Sequence, residues 1–148
     1  MDCDFTHLPE YIPLFIDYSR NHDIVIGTRF KLKESMEGWS YLRRLLTNAG
    51  HILTKYLLRI PYDASGAYRL YRLDKIPPAT FDLVVSVGYS FFFESLYILN
   101  MRKFKIKEVP IILPARSRGN SKMNFKEAQK GILYLFYFTV KTFFKHKL

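Results

Sequence analysis

Residues 23–30 read Asp-Ile-Val-Ile-Gly-Thr-Arg-Phe, a compact apolar run that Gly27 closes. Such a run, bounded by turn-forming residues, is typical of a strand that is buried on both faces of a sheet. A helical pattern lies on each side of it. Residues 9–21 begin with Pro9, which is favoured in the first turn of a helix, and residues 40–59 repeat apolar side chains at helical spacing. The stretch therefore predicts a buried strand between two helices.

The alternation of helices and strands continues towards the carboxyl terminus. Residues 68–73 alternate in the manner of a strand, residues 90–103 have a helical pattern, and residues 104–113 form a further strand pattern. A last helix begins at about Asn124. Strands that alternate with helices predict an α/β fold.

The composition limits the partners that the chain can have. The 148 residues include 23 Lys and Arg against 13 Asp and Glu, and the net charge of +10 attracts nucleic acid, anionic lipid or a phosphorylated substrate. The aromatic residues follow core periodicity and do not form exposed platforms, so we expect no nucleic-acid partner. Residues 131–140 are apolar but fall short of the roughly 20 residues that a membrane-spanning helix needs.

Asp2 and Asp4 stand one residue apart near the start of the sequence. In an extended segment, residues i and i+2 point to the same side. Two such carboxylates can share a hard cation, Mg²⁺ or Mn²⁺, and leave coordination sites open for diphosphate oxygens. The alternative, two ordinary solvated acids before a helix, stays open on the spacing alone.

Basic residues follow two of the predicted strands and lie on the second helix and in a glycine-containing loop near the carboxyl terminus. The planar guanidinium of arginine suits phosphate oxygens, and folding can gather such cations around one anion. A solvated surface position is the alternative for each of them. The candidates are Arg29, Arg43, Arg44, Arg69, Arg116, Arg118 and Lys122.

Glu94 is surrounded by aromatic and apolar residues in a helical pattern. A carboxylate on an apolar helix face needs a partner if it is buried. Glu94 is therefore either a functional acid or the partner of a core arginine such as Arg69.

Taken in order, six segments of the chain resemble the later part of the catalytic domain of polyprenol-phosphate (dolichol-phosphate) mannosyltransferases. These are family 2 glycosyltransferases with a GT-A fold, a Rossmann-like mixed sheet with flanking helices. The similar segments are MDCDFTHLPEYIP (1–13), DIVIGTRF (23–30), EGWSYLRRLLTNAGHILTKYLL (37–58), DASGAYRLYR (63–72), GYSFFFESLY (88–97) and VPIILPARSRGNSKM (109–123).

The resemblance implies roles for the candidate residues. Asp2 and Asp4 would hold the Mg²⁺ or Mn²⁺ that bridges the donor's diphosphate, and Asp4, Arg69 and Glu94 would form the catalytic group. The nucleophile would be the anionic phosphate oxygen of the lipid, so that no strong general base is needed and the sugar is inverted. The implied phosphate- and substrate-binding residues are Arg29, Arg43, Arg44, Arg69, Arg116, Arg118, Ser121 and Lys122.

The resemblance also implies the substrates. The first expectation is transfer of mannose from GDP-mannose to a polyprenyl or dolichyl phosphate. One alternative keeps the chemistry but uses UDP-glucose or a related UDP-sugar. The other is a non-catalytic, truncated half-domain that needs an N-terminal partner chain or a membrane subunit. The family's nucleotide-binding strands precede the Asp-x-Asp segment, so we expect the chain to lack them and to be incomplete.

The same resemblance divides the chain into two parts. Residues 1–123 correspond to the C-terminal part of the GT-A domain, and residues 124–148 to an amphipathic helix at a membrane interface. A basic rim and a Phe/Tyr/Leu face in this last helix are typical of helices that lie in the lipid interface. The alternatives are a core helix and a helix that packs on a transmembrane pair. We expect a peripheral protein on the cytoplasmic face of a membrane. The rim consists of Lys126, Lys130, Lys141, Lys145 and Lys147.

Overall fold

The computed structural model describes residues 6–114 and 125–145, apart from the side chains of residues 125–128 and 145. The strands are β1 (Ile24–Thr28), β2 (Arg69–Tyr71) and β3 (Ile106–Pro110). The α-helices are α1 (Ile12–Ser19), α2 (Tyr41–Leu57), α3 (Tyr89–Met101) and α4 (Phe125–Lys145). Short 3₁₀ helices span Pro9–Tyr11, Lys33–Met36 and Pro78–Leu83.

The described strands form one mixed sheet in the order β2-β1-β3. β1 pairs antiparallel with β2, so that Ile26 faces Arg69, and parallel with β3, so that Ile26 faces Glu108. Because β1 and β3 are parallel, their carboxyl ends lie at the same edge of the sheet. The predicted α/β fold is confirmed, and the mixed sheet with flanking helices fits part of a GT-A domain.

All five residues of β1 are buried, because both faces of the strand are covered. Successive side chains point to opposite faces. Ile24 and Ile26 belong to a core with residues of α2, α3 and α4, while Val25 packs with Phe15 of α1 and with Tyr68. The continuous apolar run in the sequence therefore reflects a strand between two hydrophobic cores.

α2 has a wider apolar arc than the core covers. The side chain of Ser40 caps its first turn by accepting a hydrogen bond from the backbone N–H of Arg43. Leu53 and Leu57 pack against the core. Four other apolar side chains of the arc are more than half exposed, namely Leu42, Leu45, Ile52 and Tyr56.

α4 packs on the domain along one face only. Leu135 and Phe138 are buried in the same core as Ile24 of β1. A row of apolar side chains on the helix is exposed, consisting of Leu133, Phe136, Tyr137, Val140, Phe143 and Phe144. Within the described residues, no helix has the length and apolar character needed to cross a bilayer. The assignment of this helix to a membrane interface stays a prediction.

Candidate active site

A buried ion pair lies at the carboxyl end of β1. Arg29 follows the strand directly, and its guanidinium donates two hydrogen bonds to the carboxylate of Asp63, Nε to Oδ2 at 2.9 Å and Nη2 to Oδ1 at 2.7 Å. Nη2 also donates to Ser65 Oγ at 2.6 Å. Burial alone would raise the pKa of Asp63, but the charge and hydrogen bonds of Arg29 hold it below its usual range. Because two of its nitrogen atoms donate to Asp63, the guanidinium of Arg29 binds chiefly within the protein.

The turn that carries Asp63 folds on its own side chain. Asp63 Oδ1 accepts from the backbone N–H groups of Ser65, at 3.2 Å, and Gly66, at 3.1 Å, an Asx-type turn. A Cβ at Gly66 would lie 3.2 Å from the carbonyl oxygen of Gly27 in β1. Glycine therefore lets this turn approach the end of the central strand closely.

Glu108 on β3 forms a second ion pair, with Lys31, and bonds to the Asp63 turn at the same edge of the sheet. Its Oε1 accepts from the backbone N–H of Asp63 at 2.7 Å, and its Oε2 lies 2.9 Å from Lys31 Nζ. Neither Asp63 nor Glu108 is among the site residues predicted from the sequence. Asp63 begins the Asp-Ala-Ser-Gly segment, and a turn built on the Asp side chain was the signal that could have pointed to it.

His51 brings the middle of α2 to the cluster. Its ring stacks on that of Phe30, with ring centroids 3.9 Å apart and an interplanar angle of 15°. Its Nδ1 atom is buried and has no hydrogen-bond partner among the described residues. Burial lowers the pKa of His51, although the charges of Asp63 and Glu108 oppose this shift. We therefore expect a neutral imidazole at pH 7.

The first turn of α2 presents two arginines in different settings. The guanidinium of Arg43 lies over the indole ring of Trp39, 3.7 Å from its centroid. Arg44 is exposed and donates from Nε and Nη2 to the carbonyl oxygen of Met36. Trp39 Nε1 donates to the carbonyl of Leu113 at 2.9 Å, which joins this turn to the segment after β3.

Arg69 on β2 acts as a clamp within the protein. Its Nε, Nη1 and Nη2 atoms donate to the carbonyl oxygens of Gly66, Phe92 and Ala64, at 2.8, 2.8 and 2.9 Å. The guanidinium thus holds the Asp63 turn against α3. A contact of Arg69 with substrate stays a prediction, and the bonds that the structure shows position the turn.

Glu94 on α3 is buried and fully engaged. Its carboxylate accepts from the backbone N–H groups of Val85 and Ser86 and from the hydroxyl of Tyr134, at 3.2, 2.9 and 3.0 Å. Burial alone would raise its pKa, but these donors hold the pKa below the usual range. Among the described residues, Glu94 and Arg69 bond to other groups, so the structure does not contain the alternative in which they pair. Glu94 instead joins α3 to α4.

Replacing Tyr134 by Phe should lower the free energy of unfolding by about 1 kcal/mol, because Glu94 loses one of its three donors. Burial and the bond to Glu94 raise the pKa of Tyr134 to about 12, above the 10.0 of a free tyrosine. Since the protonated form is favoured in the folded state, this stabilisation is complete below pH 10 and is lost as the pH rises through about 12.

Urea unfolding of the wild type and Tyr134→Phe across this pH range would measure the difference. Tyr137→Phe is the matched control, since the Tyr137 side chain is exposed on the same helix. A stability difference that stays constant from pH 8 to above 11 would contradict the bond to Glu94.

The predicted metal and loop residues lie outside the described residues. They are Asp2, Asp4, Arg116, Arg118, Ser121 and Lys122. The described part of the chain begins at Thr6 and His7, both buried, and the ring centroid of His7 lies 4.8 Å from that of Tyr68.

The described part contains no group of three or more His, Cys, Asp and Glu residues that could hold a metal ion. Asp63 and Glu108 are paired with Arg29 and Lys31. A Mg²⁺ or Mn²⁺ site at Asp2 and Asp4 stays a prediction, and carboxylate oxygens are the ligand type that these cations prefer.

No family model matches the chain. Its sequence is 32% identical over 125 residues to the undecaprenyl-phosphate mannosyltransferase of Micrococcus luteus, an alignment of 84% of this chain and 51% of that protein. It is 29% identical over 142 residues to the polyprenol monophosphomannose synthase of Mycolicibacterium smegmatis, covering 89% of this chain and 54% of that protein. The chain spans about half the length of these curated relatives. The resemblance inferred from the six segments is confirmed.

Proposed function

We propose that this chain, a homologue of polyprenol-phosphate mannosyltransferases, takes part in transferring a sugar to the phosphate of a polyprenyl or dolichyl lipid. Mannose is the proposed sugar, because the names of both relatives contain it. GDP-mannose is the proposed donor. The proposal rests on the observation that segments far apart in the sequence come together in the fold. The end of β1, the Asp63 turn and the β3 carboxylate Glu108 all meet at one edge of the sheet. Two of the six family-like segments supply the first two, and Glu108 directly precedes a third.

The charges at this edge suit a reaction between two phosphates. Arg44 is an exposed cation that can approach phosphate oxygens, whereas Lys31 is paired with Glu108, and Arg29 and Arg69 hold the Asp63 turn in place. The lipid phosphate is already an anion, so the protein needs to position it and to offset negative charge more than to remove a proton. A Mg²⁺ or Mn²⁺ held by Asp2 and Asp4 would neutralise the diphosphate of the leaving nucleotide. Inversion at the sugar follows from direct attack.

Two apolar helix faces support a peripheral site on the membrane, for which we propose the cytoplasmic face. α2 contains no Asp or Glu, and its exposed apolar arc is flanked by Arg44 and Lys55. α4 exposes a second apolar face beside Lys130 and Lys141, which are exposed as well. A helix with a large apolar face and an excess of basic residues is typical of binding to an anionic lipid surface.

Transfer of labelled sugar to a polyprenyl phosphate tests the proposed function. The assay should use the 148-residue chain and a fusion of this chain behind the nucleotide-binding half of a relative. We expect the fusion to form a mannosyl lipid from GDP-mannose, and Arg44→Gln to lower kcat/KM about tenfold or more, since a cation–phosphate contact is lost. Arg20→Gln removes the same charge at an exposed position after α1 and should have little effect.

The outcome also separates the alternatives. Transfer only from UDP-glucose would change the donor and keep the chemistry. A folded fusion that transfers neither sugar would refute the proposed function and favour a non-catalytic half-domain.

A further inference from the structure

A groove of about 500 Å³ lies between α2, α3 and α4, and its lining does not include the charged residues Arg29, Asp63 and Glu108. Its walls are mainly apolar, formed by Leu57, Leu58, Tyr97 and Met101. Among the described residues, no carboxylate lines it. A concave, largely apolar site of this size is in the usual range for binding part of a small molecule or lipid.

Of the residues that the structure describes, Arg59 is the cation that lines this groove. It is exposed, and it has no hydrogen bond or ion pair within the described part of the chain. Its φ of 54° is in the left-handed region, where glycine or asparagine usually ends a helix. An arginine at such a position is unfavourable for the backbone, so its side chain is a candidate for a function of its own.

The groove opens towards both exposed helix faces. Tyr56 of α2 and Phe143 of α4 line it, and their side chains are 74% and 61% exposed. A molecule in the groove would therefore extend onto the apolar surface formed by α2 and α4. This surface is the one that the proposed function assigns to the bilayer.

We propose that the groove holds an acyl chain of an anionic phospholipid, with the lipid phosphate bound by Arg59. The apolar walls match the hydrocarbon chain, and the guanidinium of Arg59, which has no partner among the described residues, matches the phosphate. None of the described residues that line the groove carries a negative charge that would repel an anion. This inference rests on the membrane contact in the proposed function.

A bilayer phospholipid fits this groove better than the acceptor lipid does. Arg59 lies just beyond the carboxyl end of α2, 15 residues after Arg44, which corresponds to about 22 Å at the rise of an α-helix. A phosphate on Arg59 is therefore too far from Arg44 to be the phosphate that the first turn of α2 positions. The two lipids share a phosphate and a long apolar chain, so the experiment must include both.

Native mass spectrometry of the 148-residue chain with phosphatidylglycerol tests the site. Arg59→Gln should weaken retention of the lipid about tenfold, the value expected for loss of a hydrogen bond to a charged group. Met101→Trp, which fills the groove at a partly exposed position, should weaken it similarly. Lys103→Gln is the matched control, because Lys103 is an exposed cation directly after α3, also has a positive φ, and does not line the groove.

Equal retention by Arg59→Gln and Lys103→Gln would overturn the inference. So would binding of polyprenyl phosphate in place of phosphatidylglycerol, or a dimer that buries the groove without lipid. Sedimentation of the wild type and Arg59→Gln with vesicles of phosphatidylcholine and phosphatidylglycerol tests the membrane contact separately from the lipid site in the groove. If the wild type and Arg59→Gln bind vesicles and retain phosphatidylglycerol equally, only the lipid site in the groove is refuted. If the wild type does not bind vesicles, both the proposed membrane contact and the lipid site are refuted.

Discussion

Replacing Asp63 by alanine should lower the free energy of unfolding by about 3–5 kcal/mol, because it leaves the buried guanidinium of Arg29 without its partner. Asp63 is completely buried, and Arg29 is 9% exposed. The same substitution removes the acceptor for the N–H groups of Ser65 and Gly66. The lower stability therefore has two causes, a buried charge without a partner and a turn that loses its side-chain acceptor. Urea denaturation at pH 7 measures it.

Asp74→Ala is the matched control for this prediction. Asp74 also pairs with an arginine, Arg72, but its side chain is 59% exposed. Water can replace that partner, so the midpoint of unfolding should move little. If Asp63→Ala shifted the midpoint no more than Asp74→Ala does, the structural role of the buried pair would be wrong.

Acid should weaken the same ion pair. The pKa of Asp63 is lowered in the folded protein from the 3.8 of a free side chain. A lowered folded pKa means that the stabilisation is present above about pH 4 and is lost as the pH falls through the folded value. Asp63→Asn keeps an acceptor for the turn but removes the charge. The difference in stability between the wild type and this variant should be largest near neutral pH and should shrink below pH 4.

Asp4→Asn should reduce metal-dependent sugar transfer by about a hundredfold or more in the active fusion, because one of two hard ligands is lost. The diphosphate charge of the donor would then be poorly offset in the transition state. Asp4 lies outside the described residues, so this prediction depends on the family resemblance and on the same-side spacing with Asp2. Titration with Mn²⁺ should show weaker metal binding alongside the lost turnover.

Asp17→Asn serves as the control for Asp4→Asn, since Asp17 is exposed on α1 and is far from any predicted ligand pair in sequence. It should retain both activity and Mn²⁺ affinity. Undiminished transfer by Asp4→Asn would remove the metal assignment, even if Asp2 remained in place.

Local patterns in the sequence predicted the secondary structure well. The apolar run at residues 23–30 is β1, and the helical spacing at residues 40–59 is α2. These features depend on neighbours within a few residues, which periodicity records. Periodicity did not show how much of the apolar arc of α2 the core covers, because that depends on how α3 and α4 pack against it.

The partners of the charged residues could not be predicted in this way. Arg29 pairs with Asp63, 34 residues later, and Glu108 binds the backbone of Asp63, 45 residues earlier in the chain. The register of β1 with β2 and β3 decides which of the many charges meet, and no local pattern records it. For this reason Arg29 and Arg69 were predicted as phosphate ligands, whereas the structure shows their bonds to the protein itself.

The parallel pairing of β1 with β3 has a consequence for the order of folding. Lys105, beside β3, donates its N–H to Asp23, beside β1, across 82 residues of sequence. The ribosome makes β1 before its parallel neighbour, which emerges only after α2, β2 and α3. The apolar strand must meanwhile be shielded in the nascent chain by β2 and the early helices, and closing so long a loop slows the final step. We therefore expect late, slow completion of the sheet and a period in which the unfinished chain is prone to aggregation.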